Sequence, residues 1–164
     1  MRDYFPLDEG LALEYISKSA SGTGGYRFEV VTSADSGGVI RAHCRRVPRD
    51  AGGKAWDAQA LKDGRGVFFD AALELPLPPE PGRRWTRAPN QYRIDAADAV
   101  VTVPAGTFRD CLRVVYTIAG GDAGWGERLY APGVGLVYEM CSDEAEPFEL
   151  LLTRFIRGSS PGPS

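Results

Sequence analysis

Apolar and polar residues alternate along most of this chain, and this period of two constrains its fold more than any other feature. In Tyr26–Val30 the apolar side chains fall on one face and the charged side chains on the other. The run 39–46 alternates in the same way, with Ile40 and Cys44 on the face opposite Arg41. Such alternation is typical of half-buried β-strands, and the helical period of about 3.6 residues is nearly absent.

The same pattern predicts strands along the whole chain. The predicted strands are Leu11–Lys18, Tyr26–Val30, Val39–Arg46, Val67–Phe69, Arg83–Arg87, Gln91–Asp95, Val100–Val103, Leu112–Ile118, Trp125–Tyr130, Leu136–Cys141 and Phe148–Ile156. Turns rich in glycine and proline separate them, and the one weak helical candidate is Lys54–Lys62. We therefore predict a mainly β protein with little helix, built as a single curved antiparallel sheet or a partly open β-barrel.

The length of 164 residues fits one domain, which we place at residues 1–157. The last seven residues, 158–164, contain only glycine, serine and proline, and we predict a disordered tail there. Four prolines between residues 75 and 82 interrupt the middle of the chain. They favour an extended segment, which we interpret as a rigid surface crossing within one domain.

Composition excludes several classes of partner. The net charge of −3 gives no electrostatic reason to expect a nucleic-acid partner. No apolar run approaches the roughly 18 residues that a membrane-spanning helix needs.

The first residues resemble no signal peptide, so the chain as given is expected in the cytoplasm, or outside it if an export segment has been removed. Three cysteines are compatible with three free thiols or with one disulfide and a spare thiol.

Three stretches occur together in an order that resembles an uncharacterised group of bacterial β-rich domains. They are Tyr4–Leu7 followed by Gly10, the VPAGTF sequence at 103–108 followed by Cys111–Val114, and the YAPGVGLV sequence at 130–137. The group is related in shape to curved-sheet lipoprotein carriers, and its members are often secreted or lipid-anchored. The resemblance implies a curved β fold and supplies no catalytic residues. This chain departs from the group because Leu11-Ala12-Leu13 stands where a tryptophan is often found.

The VPAGTF sequence is interpreted as a turn. Pro104 suits the end of a strand, where its missing N–H is harmless. Gly106 permits a positive φ that alanine or threonine would resist. Phe108 can then fold back onto the sheet.

Nothing in the sequence forms a recognisable catalytic or metal site. A metal site needs convergent ligands, but the single histidine, His43, neighbours Cys44 on one predicted strand, so the two side chains point to opposite faces. No Gly-x-Ser-x-Gly elbow and no phosphate-binding loop is present. We therefore predict a protein that is not an enzyme and that uses no cofactor.

Aromatic residues alternate along the predicted strands and should gather on one concave face. They either fill the core or line a cavity for a lipid or another apolar small molecule. The candidate ligand-binding residues are Tyr26, Phe28, Trp85, Tyr116, Trp125 and Glu127. Glu127 either faces inward beside Trp125, as the polar end of a pocket, or outward in an ion pair with Arg128 or Arg113.

Clustered arginines provide a second candidate surface, either a solvated strand face or a patch for an anion or a protein partner. Its candidate residues are Arg41, Arg45, Arg83 and Arg84. We therefore predict a non-catalytic β-domain that binds an apolar or amphipathic ligand, or a partner protein, on a curved sheet. The alternative is a structural or assembly subunit that docks through its sheet edge and its arginine-rich face.

Overall fold

The computed structural model describes residues 2–50, 52–119, 124–143, 146–159 and 162–163, and every element of regular structure in them is a β-strand. The strands are β1 (Ala12–Ser19), β2 (Gly22–Ser36), β3 (Val39–Pro48), β4 (Trp56–Lys62), β5 (Gly66–Phe69), β6 (Ala72–Pro76), β7 (Arg84–Arg87), β8 (Asn90–Val103), β9 (Gly106–Ile118), β10 (Trp125–Ala131), β11 (Gly135–Cys141), β12 (Phe148–Ile156) and β13 (Gly162–Pro163).

Twelve of these strands form one antiparallel sheet in the order β6-β5-β4-β3-β2-β1-β12-β11-β10-β9-β8-β7. The sheet curls until it is nearly closed into a barrel, and one seam stays unsealed between its two edge strands, β6 and β7. The predicted mainly β fold is therefore confirmed. No helix long and apolar enough to cross a membrane occurs in the part of the chain that the structure describes.

Two local predictions need correction. The helical candidate Lys54–Lys62 is instead the strand β4, in which Ala58 and Ala60 are buried and pair with Cys44 and Ala42 of β3. Alanine is a good helix former, and pairing with β3 overrides that preference. The runs predicted as two strands within 91–103 are one strand, β8, whose alternation is interrupted by register shifts opposite β9.

The chain connects the two edges of the sheet directly, because the proline-rich segment leads from β6 into β7. Pro76 ends β6, where a residue without an N–H donor is tolerated on an edge strand. Inside the seam, the Glu74 carboxylate of β6 forms an ion pair with Arg87 of β7. The two edges are thus linked by side-chain charge in place of a backbone ladder.

The N-terminal segment before β1 packs into the barrel. Tyr4 and Leu7 are buried in the core, and the Tyr4 hydroxyl donates to the carbonyl of Asp110 at 3.1 Å. Phe5 contacts Phe69 of β5 and Tyr130 of β10, with ring centroids 5.5 and 6.0 Å apart. This segment therefore fills the space between strands from opposite parts of the sheet.

The chain's last residues lie against the barrel where they are described. The backbone N–H of Ser159 donates to the Glu9 carbonyl at 2.8 Å, and β13 pairs in parallel with Ala34–Asp35 of β2. Residues 160, 161 and 164 of the predicted disordered tail lie outside the described residues.

All three cysteines are free thiols buried in the structure. Burial raises the pKa of the Cys44 thiol to about 12. Burial, with a smaller contribution from Asp110, raises the pKa of Cys111 to about 11. Both thiols therefore stay protonated near neutral pH and are poor nucleophiles.

The VPAGTF sequence is a turn between β8 and β9, as predicted. Gly106 has a φ of +141°, and the N–H of Ala105 donates to the Leu152 carbonyl of β12 at 3.0 Å. Phe108 folds back onto the sheet and contacts Phe155, with ring centroids 6.1 Å apart. This corner therefore docks the β8–β9 hairpin onto β12.

Gly106→Val should lower the free energy of unfolding by about 1–3 kcal/mol. A Cβ at this position would meet no atom within 4 Å, so the expected loss comes from the positive φ and not from a clash. Chemical denaturation measures it, and Ala105→Val at the neighbouring position is the control. A Gly106→Val variant as stable as the parent would contradict this account of the turn.

Candidate functional site

A cavity of about 320 Å³ lies inside the curl of the sheet. Its apolar wall comes from the N-terminal segment, the first two strands, β5 and the β10–β11 turn. The residues of that wall include Phe5, Leu11, Leu13, Phe28, Phe69 and Val134. The cavity is thus enclosed by chain segments far apart in sequence, which only the closure of the sheet brings together.

Strand alternation determines which side chains reach this cavity. Leu13 and Tyr15 of β1 pair with Phe28 and Tyr26 of β2, and all four line the cavity. Tyr15 is fixed because its hydroxyl donates to the Leu136 carbonyl at 2.6 Å. Burial raises the pKa of Tyr15, so its hydroxyl remains a donor throughout the neutral range.

The YAPGVGLV sequence is more than a turn, because Tyr130, Val134, Gly135 and Leu136 all line the cavity. Gly135 has a φ of +112°, and a Cβ there would stand 3.4 Å from Leu13 Cδ1. A side chain at this position would therefore be strained and would crowd the cavity wall. The turn signal was visible in the sequence, but its place beside β1 was not.

One end of the cavity carries an arginine between two aromatic rings. Arg46 of β3 places its guanidinium carbon 4.3 Å from the Tyr26 ring centroid and 5.3 Å from that of Trp56. Both Arg46 and Trp56 are exposed, whereas Leu11 and Leu13 at the other end are buried. The cavity therefore opens at Arg46 and Trp56.

A second cavity of about 360 Å³ adjoins the first and shares Tyr26, Arg46 and Arg128 with it. Arg128 of β10 crosses the barrel interior between them. It lies 3.1 Å from Glu139 of β11 and 3.1 Å from Glu74 of β6, and Glu74 also pairs with Arg87. This buried cluster forms a charged partition across the barrel.

The charges in this partition are mutually compensated. Burial alone would lower the pKa of Arg128, but Tyr130, Glu139 and Glu74 together raise it well above its ordinary value. The Tyr116 hydroxyl donates to Glu139 at 2.8 Å, and burial raises the pKa of Tyr116. Arg128 is therefore permanently charged, and Tyr116 remains a hydrogen-bond donor.

The predicted ligand-binding residues separate into three groups. Tyr26 and Phe28 line the cavity. Trp85 and Tyr116 are on the inner face in an aromatic row, where Trp85 stacks on Tyr92 at 5.3 Å and Tyr92 contacts Tyr116 at 5.3 Å. This row lies beyond Arg128, whose guanidinium carbon is 5.4 Å from both tyrosine centroids.

Trp125 and Glu127 are on the outer face, so the expectation that Trp125 joins the other aromatic residues on the concave face is wrong. Tyr116 pairs with Gly126, which puts the even-numbered residues 126 and 128 of β10 inside. Glu127 instead forms an ion pair with Arg113, 2.6 Å between oxygen and nitrogen, which is the outward alternative. The cavity of about 320 Å³ consequently lies behind Tyr26 and Phe28, whereas Trp125 borders a separate groove of about 670 Å³ together with Trp85 and Tyr116.

The four arginines of the predicted partner patch lie in two places. Arg41 and Arg45 are on the outer face of β3, where Arg45 pairs with Asp57 at 3.2 Å. Arg83 donates to the Pro78 carbonyl at 2.9 Å, and Arg84 is exposed at the start of β7. Three strands and the seam separate the two pairs, so no one patch unites them.

His43 and Cys44 point to opposite faces, as the alternation predicted. The His43 Nε2 lies 2.8 Å from Asp57 on the outer face, while Cys44 is fully buried. Within the described residues, no group of three or more histidine, cysteine or carboxylate side chains is arranged to hold a metal ion.

Sequence reasoning missed Arg46, Arg128 and Glu74 as cavity residues. The position of Arg46 could have been predicted, because alternation places it on the same face of the strand as Ile40, Ala42 and Cys44. The positions of Arg128 and Glu74 could not, since they meet only across the closed sheet.

Solved structures with the same fold provide the comparison. A protein from Bacteroides fragilis NCTC 9343, described as exported and as having a YmcC-like fold, aligns with 96% of this chain and 100% of its own, at a TM-score of 0.69 and 17% identity. A protein from Parabacteroides distasonis ATCC 8503, described as a lipoprotein, aligns with 94% of this chain and 99% of its own, at a TM-score of 0.64 and 16% identity. At these identities the likeness shows a shared fold. Neither a protein-family model nor a curated protein sequence matches the chain.

Proposed function

We propose that this protein is a non-catalytic domain that binds an apolar or amphipathic small molecule inside its curled sheet. The observation that carries the proposal is the cavity of about 320 Å³ behind Tyr26 and Phe28. Ligand sites are typically about 300–1,000 Å³ and mostly apolar, with a few polar groups that orient the ligand. The cavity combines both kinds of lining, since leucine, valine and phenylalanine form an apolar wall while Arg46, Glu74, Arg87 and Arg128 supply charged groups.

The alternative, assembly through a sheet edge, has less support. The two edge strands are short, four residues in β7 and five in β6. They face each other across the seam, where Glu74 and Arg87 pair. Edges this short present little backbone to a partner strand.

The test is native mass spectrometry of protein purified from its source, followed by titration of delipidated protein with the neutral fluorophore N-phenylnaphthylamine. We expect bound small molecules in the native spectrum and fluorophore binding that alkyl compounds reverse. A spectrum of bare chain, together with no fluorophore binding, would refute the proposal. A spectrum dominated by subunit complexes without small molecules would favour assembly.

Val134→Phe should reduce fluorophore affinity at least about tenfold, because an aromatic ring there would occupy the cavity (Val134 is 4% exposed and lines it). Val100→Phe is the matched control, since Val100 is 54% exposed and lies outside the cavity. Leu136→Phe is a second cavity variant in case Val134→Phe does not fold. Equal affinities in folded cavity variants and in the control would count against this cavity as the binding site.

A further inference from the structure

The mouth of the cavity presents the guanidinium cation of Arg46. Among the described residues, the Arg46 guanidinium has no ion pair or hydrogen bond with another side chain, and its contacts are with the Tyr26 and Trp56 rings. Ring faces offer no oxygen acceptor, so these contacts leave the N–H donors of Arg46 without a side-chain acceptor among the described residues. An oxyanion at the mouth would satisfy those donors.

The local balance of charge points the same way. Around the two adjoining cavities, three guanidinium groups (Arg46, Arg87 and Arg128) face two carboxylates (Glu74 and Glu139), which leaves one positive charge in excess. The carboxylates are engaged by Arg87 and Arg128. A ligand with one negative charge would therefore neutralise the site, and a neutral ligand would leave Arg46 uncompensated.

A cationic head does not fit the mouth. Tyr26 and Trp56 could form an aromatic cage for a quaternary ammonium group, but Arg46 already occupies the faces of both rings. A second cation would also meet repulsion from Arg46.

The apolar wall of the cavity suits an alkyl chain. Leu11, Leu13 and Val134 form part of this wall with buried side chains. The volume of about 320 Å³ is at the small end of the range for ligand sites, about 300–1,000 Å³, which favours one chain over several.

We infer that the ligand is a single-chain amphiphile with an anionic head, and that Arg46 binds the head at the mouth while the chain lies against Leu13 and Val134. This inference rests on the proposed function and adds the ligand's charge and orientation. Carboxylate and phosphate heads share the chemistry that Arg46 recognises.

The experiment is isothermal titration calorimetry with a set of dodecyl compounds on the delipidated full chain. The set is dodecanoate, dodecyl phosphate, neutral monolauroylglycerol and dodecyltrimethylammonium, with inorganic phosphate and acetate as headgroups without a chain. All are used below their critical micelle concentrations. We expect the two anionic amphiphiles to bind most tightly, and the free headgroups to bind far more weakly. The stronger of the two anionic compounds identifies the kind of head.

Arg46→Gln should weaken binding of dodecanoate and dodecyl phosphate about ten- to a hundredfold, as loss of a charge-assisted hydrogen bond does, and should leave monolauroylglycerol nearly unchanged. Arg41→Gln is the matched control, because Arg41 is on the same strand but on the opposite, outer face. Arg46→Lys keeps the charge and should retain part of the preference for anions.

The outcomes separate this inference from the proposed function. If no dodecyl compound binds, the proposed function itself fails. If all four compounds bind equally, or if Arg46→Gln weakens the neutral and anionic compounds alike, the cavity binds alkyl chains but the assignment of an anionic head is wrong. Tightest binding by dodecyltrimethylammonium, or equal binding by inorganic phosphate alone, would also overturn it.

Discussion

Arg128→Met should lower the free energy of unfolding by about 3–5 kcal/mol, as loss of one partner from a buried ionic cluster typically does. Methionine keeps much of the apolar volume of the arginine stem but leaves the Glu139 carboxylate without its cationic partner, while Glu74 keeps Arg87. Glu139 is only 7% exposed, so it has little access to water. The measurement is urea denaturation followed by tryptophan fluorescence.

The control for Arg128→Met is Arg113→Met on the same pair of strands. Arg113 also bridges two carboxylates, Asp95 at 2.7 Å and Glu127 at 2.6 Å, but it does so on the outer face. Arg113 is partly buried but more exposed than Arg128, and surface ion pairs contribute only about 0–1 kcal/mol each, so this variant should lose clearly less stability than Arg128→Met. Equal losses in the two variants would show that the Arg128 cluster is solvated in solution.

A double variant separates lost attraction from buried charge. Adding Glu139→Gln to Arg128→Met removes the carboxylate that has lost its cation, because Glu74 keeps Arg87 as its partner. Glutamine also keeps an acceptor for the Tyr116 hydroxyl. Most of the lost stability should return, since the cost of breaking a buried pair lies largely in the charge left uncompensated. A double variant that is even less stable than Arg128→Met would contradict this explanation.

The fold was largely predictable because alternation survives wherever one face of a strand is buried. Phe148–Ile156 was predicted with the bounds it has as β12. β4 was not predicted as a strand because Ala58 and Ala60 provide its buried face, and small alanines give a weak hydrophobic signal. β8 was split because its register shifts break the period of two.

The site was predictable only in part, and β10 shows why. One face of β10 carries two large apolar side chains, Trp125 and Leu129. The other face carries Gly126 and Arg128, so composition alone favours the wrong inner face. A register shift between Leu129 and Tyr130 makes both residues buried, which removes the phase information at that end of the strand. Only pairing with β9 and β11 determines that Arg128 points inward.

The strand phase that points Arg128 into the barrel also places Gly126 under an aromatic ring. Tyr116 of β9 pairs directly with Gly126, and its ring lies across the glycine Cα. A Cβ at Gly126 would overlap the Tyr116 Cζ and hydroxyl oxygen and stand 2.7 Å from the Met140 carbonyl oxygen. Gly126→Val should therefore lower the free energy of unfolding by about 3 kcal/mol, the upper part of the range for overpacking.

The loss of stability in Gly126→Val should come from displacement of the Tyr116 ring. A displaced Tyr116 ring would give up its 2.8 Å hydrogen bond to Glu139 and its packing on Tyr92, 5.3 Å away. Glu139 would then keep Arg128 as its remaining partner. The substitution should consequently also disturb the charged partition around Arg128.

Gly24→Val is the matched control for Gly126→Val. Gly24 is also a strand glycine without a positive φ, but a Cβ there would meet no atom within 4 Å. It should change stability by no more than about 0.5 kcal/mol, and the β propensity of valine favours a gain. Combining Gly126→Val with Tyr116→Ala should cost clearly less than the sum of the two single changes, because the second removes the ring that the first displaces. Strict additivity would mean that Tyr116 does not cover Gly126, and the inward phase assigned to β10 would then be wrong.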